Sequence, residues 1–279
     1  MDVAVISMRP RIADKKENLE KMKNYIDRED ADLYIFGEVA LTGYGCKDEL
    51  RDLAEPIDGS SIKELSKVAV DRNCYIIFGM PLQHENIRGL IYNAGILVHP
   101  DEKIDAYKKW FLPNFGPFEE KIFFDEGQQL PVFKTKLGRI GILICYDIFF
   151  PEITKAYALQ GADLVVCLSA SPSVTRKYFE TLIPARAVEN TVFFIYTNIV
   201  GTQEDLIFWG GSQIYDPFGT LLLKTPYFEE SMMKCSIDLG ILRTARAHRP
   251  VLRDIRPEIY RDLYRFSRGL TDKEIPWET

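Results

Sequence analysis

Apolar residues recur along this chain in two rhythms, short unbroken runs and stripes at helical spacing, and their alternation predicts a protein of sheets and helices. VAVISM (3–8) is apolar with little alternation, as expected of a strand buried on both faces. KKENLEKMKNYIDRED (15–30) places Leu19, Met22, Tyr25 and Ile26 on one helical face and charge on the other. DLYIF (32–36) predicts a second strand, ending at Gly37-Glu38. SSIKELSKVAVDRN (60–73) predicts a helix capped by Ser60 or Ser61, with Glu64 placed for a capping box. YIIFGM (75–80) reads as a strand, and IYNAGILVHPDEKIDAYKK (91–109) as an antiparallel hairpin turning at Pro100-Asp101.

The second half repeats this succession without a sequence repeat. A hairpin, VFKTKLGRIGILICYD (132–147), leads to a helix, PEITKAYALQGA (151–162), with Pro151 suited to its first turn. Strand DLVVCLSAS (163–171), a helix over 175–190, strand VFFIYTN (192–198) and hairpin GSQIYDPFGTLLLK (211–224) follow, the last turning through Asp216, Pro217 and Gly219. Two mixed sheets packed face to face with helices outside satisfy this pattern, so the expected fold is α/β, a four-layer αββα sandwich. Residues 1–239 form the expected domain. The arginine-rich segment 240–279 breaks the succession and is expected at the surface or across a subunit boundary. Between the halves, WFLPNFGPFEEKIFFDEGQQLP (110–131) has no period, and a loop of that length inside a domain is usually functional.

Composition narrows the class of partner. The chain has 279 residues, 46% hydrophobic, enough for a core without covalent staples. Its formal charge of -6 argues against nucleic acid and anionic membranes. No apolar run is long enough to span a bilayer, and MDVAVISM carries no basic leader, so a cytoplasmic protein is expected. Five widely spaced cysteines without a CxxC pair fit reduced thiols, and the three histidines, His84, His99 and His248, show no ligand spacing. The expectation is no metal and no cofactor.

Three residues carry candidate chemistry. Cys145 sits between the apolar run 140–144 and the helix opened by Pro151, on a tight turn near unpaired N–H groups; that setting is expected to favour thiolate and a nucleophilic role. The histidines occupy polar, turn-like settings, so the base is sought among carboxylates. Glu38 ends an apolar strand where a charge is unexpected, at the kind of strand end where α/β proteins place chemistry. Lys109 stands where the hairpin enters the aromatic loop and is a candidate to hold an oxyanion, with Lys108 directed to the opposite face. Each of the three also has a plain structural reading, as core thiol, edge carboxylate or solvated lysine.

The segments IFGEVALTGYG, YKKWFLPNFGPFEE and GILICYDIFFPE resemble, in order and spacing, the Glu, Lys and Cys signatures of the nitrilase superfamily of carbon–nitrogen hydrolases. RAVEN (186–190) and the GSQIYDPFG hairpin extend the similarity over nearly the whole chain before the tail. The resemblance implies an αββα fold that pairs into homodimers or larger homo-oligomers, with Glu38 as general base, Lys109 as oxyanion stabiliser and Cys145 as nucleophile. It also implies Glu120 as a fourth residue ordering Lys109, with Glu119 as the competing assignment, and the backbone N–H of Tyr146 as a second oxyanion donor. Tyr44, Phe115, Ser169 and Ser171, next to those segments, are expected to line the pocket. Departures bear on the substrate: Phe111 stands where the family often has histidine, and Tyr146-Asp147 after the cysteine is closer to the amidase and carbamoylase branches than to nitrilases, which tend to have Trp. The implied reaction is hydrolysis of a non-peptide C–N bond of a small linear amide through a thioester, releasing ammonia or an amine. N-carbamoyl hydrolysis, a glutaminase-like ω-amidase and nitrile hydrolysis are the nearest alternatives. Acyl transfer to an amine and a catalytically silent scaffold binding through the tail are the more distant ones.

Overall fold

Two six-stranded mixed sheets lie face to face in a computed structural model that describes residues 1–269. The first is built from β1 (Asp2–Ser7), β2 (Leu33–Ile35), β3 (Tyr75–Gln83), β4 (Ile91–Val98), β5 (Ile104–Lys108) and β14 (Ser231–Ser236), in the order β14-β1-β2-β3-β4-β5. The second uses β6 (Val132–Thr135), β7 (Gly138–Ile144), β8 (Leu164–Ser169), β9 (Phe193–Asn198), β12 (Gln213–Tyr215) and β13 (Leu221–Lys224), in the order β13-β12-β9-β8-β7-β6. Each sheet has the same pairing sequence. An outer strand runs antiparallel to the first of three parallel strands, and two further antiparallel strands complete the far side. The succession seen twice in the sequence is therefore one topology used twice.

Alternation explains the layers. Val3, Val5, Leu33, Ile35 and Ile77 join Ile142, Ile144, Val166 and Leu168 in the main core, whereas Ala4, Ile6, Tyr34, Phe36 and Ile76 face the other way. That outer face is covered by α1 (Lys15–Arg28) through Leu19, Met22 and Ile26, and by α3 (Ser60–Arg72) through Ile62 and Leu65. On the second sheet the covering helices are α5 (Pro151–Leu159) and α6 (Arg176–Asn190), with Ile153, Tyr157, Phe179 and Ile183 buried. Contact is close enough that a Cβ on Gly141 would lie 2.7 Å from the Tyr157 ring. The expected αββα sandwich is the observed one.

Local details differ from expectation. The N-cap of α3 is Gly59, and Ser61 gives both its backbone N–H and its hydroxyl to the buried Glu55, which does the work expected of a capping box. Glu64 instead pairs with Lys23 at the surface, because a lysine on α1 lies within reach. Segment 110–131 is not wholly irregular: it contains one helical turn, α4 (Glu120–Phe123). The short helix α2 (Leu50–Leu53), the hairpin of β10 (Val200–Gln203) and β11 (Leu206–Trp209), and strand β14 carried too little periodicity to be anticipated. The arginine-rich segment opens with α7 (Ile241–His248), which buries Ala245 and packs Leu242 into the main core while Arg246 donates to the Ala162 carbonyl. Helix α8 (Pro257–Arg268) follows, with Ile259, Leu263 and Phe266 exposed; the remainder of the expected extension, 270–279, lies outside the described residues.

The chain after β2 is wedged between the sheets. A Cβ on Gly79 would fall 2.3 Å from the Val39 nitrogen and 2.7 Å from Glu38 Cα, and one on Gly37 would fall 2.9 Å from the Ser169 carbonyl. These are backbone atoms and cannot swing aside. Gly79→Ala is expected to destabilise the protein by about 1–3 kcal/mol through overpacking, read as a lower urea midpoint. A variant as stable as the parent would mean that the 37–39 segment is free to shift.

Candidate active site

Parallel strands in both sheets deliver their C-terminal ends to the same region; Glu38 and Cys145 follow such ends, and Lys109 follows β5, which pairs antiparallel with β4. Glu38 comes three residues after β2, Lys109 directly after β5 and Cys145 directly after β7. The ends of β2 and β8, which hold equivalent places in the two sheets, touch: Glu38 N donates to the Ser169 carbonyl at 3.3 Å, and Ala170 N donates to Glu38 Oε2 at 2.7 Å.

Lys109 is the centre of the site. Its side chain is wholly buried, and Nζ donates to Glu38 Oε1 at 2.7 Å and to Glu120 Oε1 and Oε2 at 2.8 and 2.7 Å. Burial by itself disfavours the charge, yet the Glu120 and Glu38 carboxylates outweigh it and hold the ammonium well above the usual lysine range. Its main chain is fixed on both sides, with the N–H donating to the Asn93 carbonyl at 2.9 Å and the carbonyl accepting from Gly127 N at 2.7 Å. Lys108 points the other way and lies 4.3 Å above the Tyr92 ring, as strand alternation requires.

Glu38 accepts from Lys109 and from Asn93 Nδ2 at Oε1, and from Ala170 N at Oε2. Three of about four acceptor positions on the carboxylate are thus filled, leaving one on Oε2. Glu120, not Glu119, supplies the second carboxylate: Glu119 is exposed, whereas α4 turns Glu120 inward onto Lys109 and the Tyr44 hydroxyl, the latter at 2.9 Å. Burial raises the Glu120 pKa to about 7 against the opposing pull of Lys109. Burial first, then Glu120 and Glu38, keep the Tyr44 phenol protonated and able to donate.

Cys145 occupies a left-handed backbone conformation, φ 47°, at the start of a 3₁₀ turn over Cys145–Phe149. A residue with a Cβ is held there at a cost of about 1 kcal/mol or more, a strain typical of functional turns. Cys145 is buried, 7% exposed as a residue. The expectation of a resting thiolate is corrected here. Burial and the Glu38 carboxylate push the thiol pKa well above its ordinary value, and the Lys109 ammonium offsets this only in part. Turn geometry alone had suggested an anion, but desolvation and a neighbouring negative charge decide the matter. A buried neutral thiol needs a base at the moment of attack, and Glu38 is in electrostatic contact with it.

The expected lining residues are dispersed. Tyr44 reaches the carboxylates, and Ser169 lies fully buried at the end of β8. The Phe115 ring, half exposed, packs 5.3 Å from the Tyr146 ring at a cleft of about 280 Å³ that Phe111, Leu112 and Lys121 also line. The Ser171 hydroxyl is not brought to the ion cluster: it bonds Thr175 at 2.8 Å and accepts from Trp209 Nε1 at 3.3 Å. A larger cavity of about 680 Å³ lies on the Lys108 side of β5, and none of Glu38, Lys109 and Cys145 lines it. His99 is buried on Asp105 at 2.9 Å, and His84 Nδ1 accepts from Asn86 N and Ile87 N.

Two residues escaped the sequence reading. Asn93, in the middle of β4, donates to Glu38 and weakly to Glu120 at 3.4 Å. Its signal was a lone amide in an apolar strand, which demands a partner. Asp147 is fully buried and accepts from Ile144 N, Phe111 N and the Tyr107 hydroxyl; its signal was an acid inside the run GILICYDIFF. Burial lifts its pKa to about 6.

These raised values fix a sign. Glu120 and Asp147 bind protons in the native state at a pH where the unfolded chain has released them, so their contribution to stability falls as pH rises from about 4.5 to 7 and is level above that. Urea unfolding at about pH 6 and pH 8, roughly one unit either side of that range's upper end, is expected to show a smaller stability gap in Glu120→Gln than in the parent. Equal gaps would deny Glu120 its raised proton affinity.

Comparison with known proteins places this geometry. A family model described as carbon-nitrogen hydrolase matches residues 2–247. A probable nitrilase of Schizosaccharomyces pombe is 30% identical over 270 residues, covering 94% of this chain and 98% of that protein. An (R)-stereoselective amidase of a Pseudomonas species is 32% identical over 260 residues, with 92% of each covered. Among solved structures, a Glu-to-Gln mutant of the amidase from Nesterenkonia sp. AN1 superposes with a TM-score of 0.81 at 26% identity, covering 94% of this chain and 96% of that one. In that crystal the acetamide moiety of fluoroacetamide is covalently attached to the active-site cysteine. The match over nearly the whole length, with an αββα body around a buried Glu-Lys-Glu cluster beside a strained cysteine, establishes that this chain belongs to the carbon-nitrogen hydrolase family.

Proposed function

We propose that the protein hydrolyses the C–N bond of a small linear amide through a thioester on Cys145. The observation that carries this reading is the wholly buried Lys109 ammonium, bound to Glu38 on one side and Glu120 on the other, in electrostatic contact with the thiol. The amidases among its relatives support an amide as the substrate.

Glu38 takes the Sγ proton on its remaining Oε2 position as sulfur attacks the carbonyl carbon. The S–C bond forms and the π pair moves to oxygen, where the Lys109 ammonium and the Tyr146 backbone N–H receive it. Collapse restores the carbonyl and breaks the C–N bond. The leaving nitrogen takes the proton held by Glu38 and departs as ammonia or an amine. Water then gives a proton to Glu38 and adds to the thioester, and the second collapse breaks the S–C bond and releases the acid. The proton on Glu38 returns to sulfur. Glu120 stays on Lys109 throughout and keeps the ammonium aimed at the reacting oxygen.

The exposed apolar face of α8, with Ile259, Leu263 and Phe266, supports assembly as a homodimer or larger homo-oligomer through the C-terminal segment. Reduced thiols and the absence of a long apolar helix among the described residues are in keeping with a cytoplasmic setting.

A panel of short amides, carbamoyl compounds, ω-amides and nitriles tests the reading. Ammonia or amine release is expected from an amide, with an acyl adduct visible by intact mass and both absent in Cys145→Ala. Release undiminished in Cys145→Ala would remove the thiol from the reaction. Lys109→Met is expected to lower kcat by about 10²–10³-fold, the usual loss for an oxyanion donor, and near-normal turnover would exclude its role.

A further inference from the structure

The strained turn at Cys145 and the strand end at Lys109 belong to different sheets, so something must fix the distance between them. Main-chain pairing within each sheet cannot do so. Phe111 stacks on Phe150, the residue after the turn, with 3.4 Å between ring centroids, and one polar group hydrogen-bonds to both sides. Asp147 Oδ2 accepts from Ile144 N at 2.9 Å, so the carboxylate folds back over the turn and brackets Cys145. The same oxygen accepts from the Tyr107 hydroxyl at 2.8 Å, and Oδ1 accepts from Phe111 N at 2.9 Å. Tyr107 and Phe111 stand two residues before and two residues after Lys109. One buried carboxylate is therefore bound to the backbone just before the sulfur and to both flanks of the ammonium.

We propose that Asp147 is a positioning residue that sets the separation of the Cys145 sulfur from the Lys109 ammonium, acting through the turn and the strand end rather than on the substrate. The proposal rests on the amide hydrolysis put forward above. Its chemistry lies in the donor set. All three partners donate, and two are backbone N–H groups that cannot reverse. An ionised carboxylate satisfies them together. An amide of the same shape cannot, because its NH₂ must face either Ile144 N–H or Phe111 N–H. Asp147→Asn thus releases either the nucleophile or the lysine flank while leaving the volume of the site unchanged. Misplacement of reacting groups by about 1 Å can cost on the order of 10² in rate.

The test is the single-turnover rate of acyl-enzyme formation with an amide that the parent hydrolyses, read by intact mass, in the parent, Asp147→Asn, Tyr107→Phe and each of these combined with Lys109→Met. Asp147→Asn is expected to slow acylation by about 10–10²-fold with KM changed by less than about threefold. In the Lys109→Met background the same change is expected to cost less than about threefold, because the distance it sets no longer matters. Acylation at the parent rate, or a loss carried in full into the Lys109→Met background, would overturn the proposal. Should Asp147→Asn lack a cooperative melt, Tyr107→Phe decides. It removes one of the three donors and leaves the backbone bonds in place, so slower acylation that vanishes on Lys109→Met supports the proposal and an unchanged rate overturns it. A parent protein that forms no adduct with any amide overturns the hydrolase reading itself and the role of Asp147 with it, whereas an active parent alongside an equally active Asp147→Asn overturns only the latter.

Discussion

An ammonium with no access to water is the constraint on which this structure turns. Taking a lysine out of solvent costs several kcal/mol even after relaxation, and the arrangement survives only where opposite charges meet it with good geometry. Lys109 is met by two carboxylates within 2.8 Å, one from the end of β2 and one from α4. The cluster carries two formal negative charges against one positive, and this excess explains why burial and Coulomb forces act as they do on the neighbours. Glu120 holds protons more tightly than a free carboxylate, and burial together with the Glu38 charge keeps the Cys145 thiol protonated. In the proposed mechanism the oxyanion is a third anion to meet this ammonium, beside the Glu38 and Glu120 carboxylates.

The fold supplies these groups through its doubled topology. Each sheet presents the ends of three parallel strands, and the two sheets face each other, so strand ends from both halves converge without long connections. The contact between the ends of β2 and β8 is the clearest case, with Ala170 N capping Glu38 while Glu38 N bonds the Ser169 carbonyl. Segment 110–131 completes the site from one side. It leaves β5 at Lys109, turns Glu120 back onto the same lysine through α4, and returns along β5, where Gly127 bonds the Lys109 carbonyl. An aperiodic stretch of that length is explained by the need to pass the same residue twice.

Much of this was legible in the chain. Glu38, Lys109 and Cys145 stood out because charge or sulfur appears where apolar strands end, and the sandwich followed from two matching successions of runs and stripes. Glu120 entered only through the family resemblance, since a four-residue helix has no period to read. Asn93 and Asp147 left a visible sign, a polar group inside a buried run, whose partners lie far along the chain and could not be named from local pattern. The thiolate expectation failed for a related reason: a local rule about turns cannot include the desolvation and the carboxylate that tertiary packing brings. Strand β14 pairs with β1 from the opposite end of the chain, and nothing in SMMKCS advertises that partner.

The central claim is that sulfur, carboxylate and ammonium act on one carbonyl. A crystal structure of the protein alkylated by the α-halo analogue of a short amide tests this most directly, because displacement of the halide leaves an S–C bond that water does not cleave. The account predicts carbon bonded to Cys145 Sγ, with the carbonyl oxygen about 3 Å from Lys109 Nζ. A carbonyl oxygen directed away from Lys109, or an adduct on another cysteine with Cys145 left untouched, would contradict it.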